Sequence, residues 1–317
     1  MTTSIRHFYQ RYVTRHDKIF LLLAGIGFLL GASLILLNHF DFHYTTTKLF
    51  ETHIQFNRTV RTTFIFLFGF VFLFYGMYIR EISPRSSTFM WGLGVFFWCI
   101  VVNLIGCNGL QSTPFTPIDP FLVKFDDWFG INTPAIMSWT HLHPHIHHGL
   151  ECVYDFLTIE LFLLPFLLAI FNARKALWIF FIAELLTFYF GGAIYYLLPT
   201  MAPSGIFHSP YFTASQHNTS LRFYEVHHFL KIKSADGGLI AFPSFHVIWA
   251  VLLTNACRGK KIFFYPMVCM NILVISSTVL LGWHYFADVL AGLTIAILGI
   301  VAAEKLWKSR NETRGSI

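Results

Sequence analysis

Residues 262–303 read IFFYPMVCMNILVISSTVLLGWHYFADVLAGLTIAILGIVAA. Two apolar runs, 262–281 and 286–303, stand either side of Gly282-Trp283-His284-Tyr285. Each run falls in the range of about 17–25 residues that a bilayer-spanning helix needs. Backbone N–H and C=O groups in lipid have to pair within their own segment, so both runs are expected as helices. The alternation at period two that a membrane barrel requires is absent.

Outward from this hairpin, further apolar runs occupy 19–37, 63–79, 88–106, 156–171, 176–198 and 239–257. The run 156–171 is the shortest and holds Glu160 and Pro165. Of the 317 residues, 55% are hydrophobic and 12% charged. Soluble proteins carry roughly 25% charged residues, so half that share cannot cover a water-facing surface of this size. The expected fold is all-α, a polytopic transmembrane bundle of about eight helices.

Lys and Arg set the orientation. With the N-terminus in the cytoplasm and eight crossings, 15 of the 22 basic residues fall on the cytoplasmic side. Arg80 and Arg85, Arg174 and Lys175, and Arg258, Lys260 and Lys261 lie there in short loops, the segments that count most in the positive-inside rule. Both termini are therefore expected in the cytoplasm. The net charge of +6 is explained by topology and calls for no nucleic acid. Most of the five cysteines lie in or beside apolar runs, no CxxC pair exists, and they read as small hydrophobes. The first apolar run lacks a small-residue cleavage site and reads as a retained anchor. A division into residues 1–155, with about three helices and a His-rich outer loop, and a catalytic membrane region, 156–317, is expected. Two outer segments, 107–155 and 199–238, are long, and long loops are disproportionately functional.

Chemistry concentrates in Ala241-Phe242-Pro243-Ser244-Phe245-His246 and in Gly282-Trp283-His284-Tyr285-Phe286-Ala287-Asp288. One helix inward and one back returns the chain to the same membrane face, so His246 and His284 share a side and a depth. Asp288 follows His284 by four residues, one helical turn on the same face. Its carboxylate can fix the imidazole tautomer and leave the other ring nitrogen free to attack. A second histidine can protonate a leaving oxygen near neutral pH. Pro243 and Ser244 at a helix start offer N–H groups and a hydroxyl for phosphate oxygens. Single histidines at helix ends are otherwise ordinary interfacial residues; an Asp at membrane depth is costly and points to function.

These two stretches resemble the second and third motifs of the type 2 phosphatidic acid phosphatase superfamily, Pro-Ser-Gly-His and a segment ending His-x-x-x-Asp. The likeness covers roughly residues 176–304. It is closest to the branch containing inositol phosphorylceramide synthase. That branch has a bulky residue before the motif histidine, as Phe245 is here, and a proline-bearing segment like Leu198-Pro199-Thr200-Met201-Ala202-Pro203. The resemblance implies His284 as nucleophile, Asp288 as its orienting partner and His246 as general acid, with no cofactor and no metal. Ser277-Thr278 stands where the broad family has Ser-Arg, and the family's first motif is not found. Arg222, Lys231 and Lys233, in the outer segment before His246, are then the candidates to hold the phosphate together with Ser244.

The implied activity is a lipid phosphotransferase, taking a phospholipid or lipid-linked phosphate as donor and an alcohol as acceptor. Water as acceptor would make it a lipid phosphatase; a polytopic transporter or assembly factor is the non-enzymatic alternative. The compact ends suggest a bacterial inner or cytoplasmic membrane, with the site on the extracytoplasmic face. A rival constellation, His141, His143, His145, His147 and His148, invites a metal reading. It lacks the further His boxes that membrane di-iron enzymes use.

Overall fold

A computed structural model describes residues 10–38, 58–230, 233–234 and 240–308, with side chains from residue 64 in the second of these segments. Among the described residues the chain is helical and without strands. In chain order the helices are α1 (Arg15–Leu37), α2 (Arg58–Tyr78), α3 (Pro84–Leu110), α4 (Asp119–Trp128), α5 (Thr133–Leu142) and α6 (Pro144–Ile170). They continue as α7 (Arg174–Leu197), α8 (Ala214–His227), α9 (Phe245–Ala256), α10 (Lys261–Leu280) and α11 (Phe286–Lys308). Six of them, α1, α3, α6, α7, α10 and α11, are long and apolar enough to cross a bilayer, the architecture of an integral membrane protein.

Of the other two expected crossings, one lies in α2, a helix of 21 residues that is apolar over Phe64–Tyr78 among its described side chains, and the other forms α9, a shorter apolar helix. The run 239–257 is trimmed because the helix can begin only after Pro243. Ser244 is its N-cap and accepts a hydrogen bond from the Val247 N–H at 3.4 Å. Twelve residues at about 1.5 Å each reach roughly 18 Å, short of a full crossing. The run 156–171 changes the other way. Its helix, α6, has 27 residues and starts in the histidine-rich stretch at Pro144, a favoured first-turn residue. The division expected at residue 155 therefore falls inside a continuous helix.

Two helices organise the packing. α3 lies against α1, α2, α6 and α7, and α9 lies against α6, α7, α10 and α11. Val247, Ile248, Ala250 and Leu253 of α9 are fully buried. The N-terminal group is pinned at one end by a buried polar cluster. Asp17 of α1 accepts from the Arg80 guanidinium at 2.8 and 3.0 Å and from the Trp91 indole N–H at 2.9 Å. A buried carboxylate is tolerable only when paired in this way.

The outer segment 107–155, expected as a loop, is largely helical. α4 and α5 fill its middle and α6 supplies its end. α8 does the same for the second outer segment, opening with a capping box between Thr213 and Gln216. These short helices pack on the spanning helices at the end where α9 and α11 begin: α4 contacts α11, and α5 contacts α10.

Candidate active site

The turn between α10 and α11 is built for a tight reversal. Gly282 has φ +73°, which L side chains rarely adopt, and a Cβ there would overlap the Met137 sulfur of α5. The Thr278 carbonyl accepts from the N–H groups of Trp283 and His284 at 2.9 and 3.0 Å, closing the end of α10. The side-chain hydroxyls of Ser277 and Thr278 bond carbonyls of their own helix, Val274 and Ile275. The residues standing where the broad family has Ser-Arg thus supply backbone geometry to the turn.

That geometry aligns three side chains. His284 Nδ1 lies 3.1 Å from Asp288 Oδ2, and His284 Nε2 lies 3.3 Å from His246 Nδ1. His284 and Asp288 are buried. Asp288 Oδ2 also accepts from the Tyr285 N–H at 3.0 Å, which fixes its rotamer. An acceptor carboxylate at Nδ1 assigns the proton of His284 to Nδ1, so Nε2 carries the lone pair. His246 Nδ1–H is then the donor facing it. Burial pushes the His284 imidazole below its ordinary pKa, which keeps the ring neutral and nucleophilic. The two motifs are joined through the backbone as well. Ser244 N–H donates to the Asp288 carbonyl at 3.2 Å, and a Cβ on Gly292 would come within 2.8 Å of the Ser244 carbonyl. Only glycine at 292 lets α11 approach α9 this closely.

Three short helices hold the turn from outside. From α4, Asp126 accepts from the N–H groups of Phe286 and Ala287 at 2.8 and 3.1 Å, capping α11. From the same helix, Asp119 accepts from the Tyr285 hydroxyl at 3.0 Å and from Met201 N–H at 3.0 Å. Burial pushes the Asp119 carboxyl up to about 6, against those two hydrogen bonds. Burial likewise raises Asp126, opposed by its two backbone donors. From α8, Gln216 Nε2 donates to the Leu281 carbonyl at 2.8 Å, and from α5, Thr140 Oγ1 donates to the Leu280 carbonyl at 3.3 Å. Met201 lies in the proline-bearing segment, so that segment is tied to the turn through Asp119.

The remaining candidates are placed as follows. Ser244 is fully buried as the α9 cap. Arg222, on α8, is 2% exposed rather than a solvated loop charge. Its Nε donates to Gln111 Oε1 at 3.0 Å and its Nη2 to Asn108 Oδ1 at 3.2 Å. Lys233 has an exposed side chain, and its backbone N–H donates to the Glu225 carboxylate at 3.1 Å. Lys231 lies outside the described residues.

Over the histidines sits an aromatic stack. The Tyr154 ring of α6 lies 4.5 Å from the His246 ring and 5.2 Å from the Trp283 ring, both near parallel. Beyond it is a cavity of about 290 Å³ lined by residues that include His147, Glu151, Asp155, Gln216 and Trp283. The histidine-rich stretch lines this cavity in part. His147 Nδ1 and His148 Nδ1 lie 3.6 and 3.9 Å from Glu151, and the His141 ring lies 4.1 Å from that of His147. Among the described residues no group of three or more His, Cys, Asp or Glu side chains is arranged to hold a metal ion.

Residues 120–302 match the family model described as the PAP2 superfamily. The match begins in α4 and so takes in the short helices that hold the turn as well as both motifs. No curated protein and no solved structure matches the chain.

Proposed function

The chain belongs to the PAP2 superfamily, and we propose that it is a membrane-embedded lipid phosphotransferase working through a phosphohistidine. The observation that carries this reading is the His246–His284–Asp288 relay, with its proton order set by the Asp288 carboxylate. His284 Nε2 attacks the phosphorus of a lipid phosphate ester, forming an N–P bond as the P–O bond to the alcohol breaks. His246, in its imidazolium form beside the bound phosphate anion, gives one proton to the departing alkoxide oxygen and is left as the neutral ring. Positive charge that develops on the His284 ring is stabilised by Asp288 through Nδ1. A second alcohol then gives its proton to His246 and takes the phosphoryl or substituted phosphoryl group from Nε2. Water in that role makes the enzyme a lipid phosphatase.

The phosphate oxygens are met in this account by the first-turn N–H groups of α9 and the Ser244 hydroxyl. The basic residues Arg222, Lys231 and Lys233 supply the cationic counterpart. The positive-inside reading puts the site on the extracytoplasmic face. No step calls for a cofactor or metal, so turnover is expected to survive EDTA.

The test compares leaving groups. In His246→Ala, a lipid ester with an alkoxide leaving group should lose turnover severely, while an aryl phosphate, whose phenol leaves without protonation, should be partly spared. Equal losses on both substrates would remove His246 from the role of general acid. The acceptor is read from the products formed with and without added alcohol.

A further inference from the structure

At the end of α9 away from His246 lies a second and larger cavity, of about 640 Å³. It opens between the C-terminal ends of α6, α9 and α11 and the N-terminal ends of α7 and α10. Arg174, Lys175, Arg258 and Lys260 line it, with Glu304 the one acidic residue among the described lining groups. Arg258 Nη1 lies 3.9 Å from Glu304 Oε1, so one cation is partly compensated and the rest are in excess. Lys260 Nζ sits 4.5 Å over the Phe171 ring.

The excess is not relieved by the helices. Arg174 opens α7 and Lys260 caps α10, placing cations at the positive ends of two helix dipoles, and neither helix has an acidic residue in its first turn. Such a convergence is favourable with an anion present. The cavity's inner wall is apolar: Leu164, Leu167 and Leu168 of α6 and Ile179 of α7 continue along the spanning length of those helices. Phe171 and Phe263, both exposed, flank the mouth. A cationic rim over an apolar wall that runs into the membrane matches a phosphate headgroup with acyl chains attached. A small soluble anion would leave that wall bare.

We propose that this cavity binds one anionic phospholipid, its phosphate held by Arg174, Lys175, Arg258 and Lys260 and its chains laid along α6 and α7. The site is separate from the catalytic one, since the twelve residues of α9 lie between them, a rise of roughly 18 Å. It does not depend on the reaction assigned to the histidines.

The experiment uses the full chain in detergent, with bound lipid counted by native mass spectrometry against phosphatidylglycerol, phosphatidylcholine and glycerol phosphate. Arg258→Gln/Lys260→Gln alters two exposed side chains, one of them 72% exposed, so the fold should tolerate it. An unfolding temperature and an elution volume equal to those of the wild type verify that the variant is folded. Phosphatidylglycerol should bind the wild type more tightly than phosphatidylcholine. The double variant should lose about thirtyfold of that binding, as each basic side chain near an anionic headgroup contributes on the order of one factor of five. Equal affinity for the two lipids, or unchanged binding in the double variant, would overturn the proposal. Displacement of the lipid by millimolar glycerol phosphate would assign the cavity to a soluble phosphate compound and overturn it equally.

Discussion

The spanning helices and the short helices α4, α5 and α8 do different work with different residues. The spans are joined mainly by apolar packing around α3 and α9, with the Asp17–Arg80–Trp91 cluster the polar pin at one end. The short helices add to their apolar packing on the α10–α11 turn a set of individual polar contacts: Asp126 on two N–H groups, Gln216 on the Leu281 carbonyl, Thr140 on the Leu280 carbonyl. The lesson is a division of labour. The bundle fixes which face the histidines share, and the short helices fix where the ring nitrogens point. Changes in the first region should act on stability, and changes in the second on rate.

The largest effect lies in the relay that both regions serve. His284→Ala should abolish turnover, because nothing replaces the nucleophile. Asp288→Asn keeps the shape and loses the charge; the analogous change in serine proteases costs about 10⁴ in rate, and steady-state kinetics should show a loss of that order. Next comes the sharpest form of the contrast. Asp126→Ala strips the α11 cap and leaves two N–H groups unmet, and misplacing the reacting group by even an ångström can cost about 10²-fold. Leu253→Ala, in the fully buried face of α9, should lower the unfolding temperature while the protein that remains folded keeps its kcat. Equal kinetic damage from both would dissolve the division of labour.

A smaller effect tests the turn itself. Gly282→Ala must adopt a positive φ and push against Met137, costing on the order of 1–3 kcal/mol. Adding Met137→Ala removes the overlap and should restore part of the lost activity, leaving only the backbone strain. Absence of any rescue would mean that α5 does not press on the turn.

The smallest expected effect is on stability and depends on pH. The folded pKa of Asp119 is raised to about 6, above the ordinary carboxylate value of 3.8. The folded state therefore binds the proton more tightly than the unfolded state, and ionising Asp119 costs stability as pH rises from 3.8 through 6. Asp119→Asn is neutral throughout, so its unfolding temperature relative to wild type should be higher at pH 8 than at pH 5. A difference independent of pH would show that Asp119 is not the buried acid described.

The apolar runs were readable because a bilayer imposes length and composition on each helix separately. Counting basic loops brings His246 and His284 to one face, and His284 Nε2 lies 3.3 Å from His246 Nδ1. What composition could not show was the start of α9, which Ser244 sets by capping, or the reach of α6 back to Pro144. Asp119 and Asp126 are not legible in this way, because they lie in a polar stretch between spans with the composition of a loop. Signals were present: Asp119-Pro120 and Asn132-Thr133-Pro134 are helix starts with proline in the first turn, and Thr213…Gln216 is a capping box. Nothing local, however, tells Asp126 that its partners are the N–H groups of residues 286 and 287. Arg222 shows the same limit: its burial against Asn108 and Gln111 depends on α8 folding back over the end of α3.

The central claim is that His284 Nε2 becomes phosphorylated. Purified protein should be mixed with a lipid substrate labelled at phosphorus and quenched in alkali, which preserves a phosphohistidine. The account predicts label on a peptide containing His284 in the wild type, no label in His284→Ala, and unchanged label in Lys233→Gln at saturating substrate. Turnover without any labelled enzyme, or label that persists in His284→Ala, would contradict it.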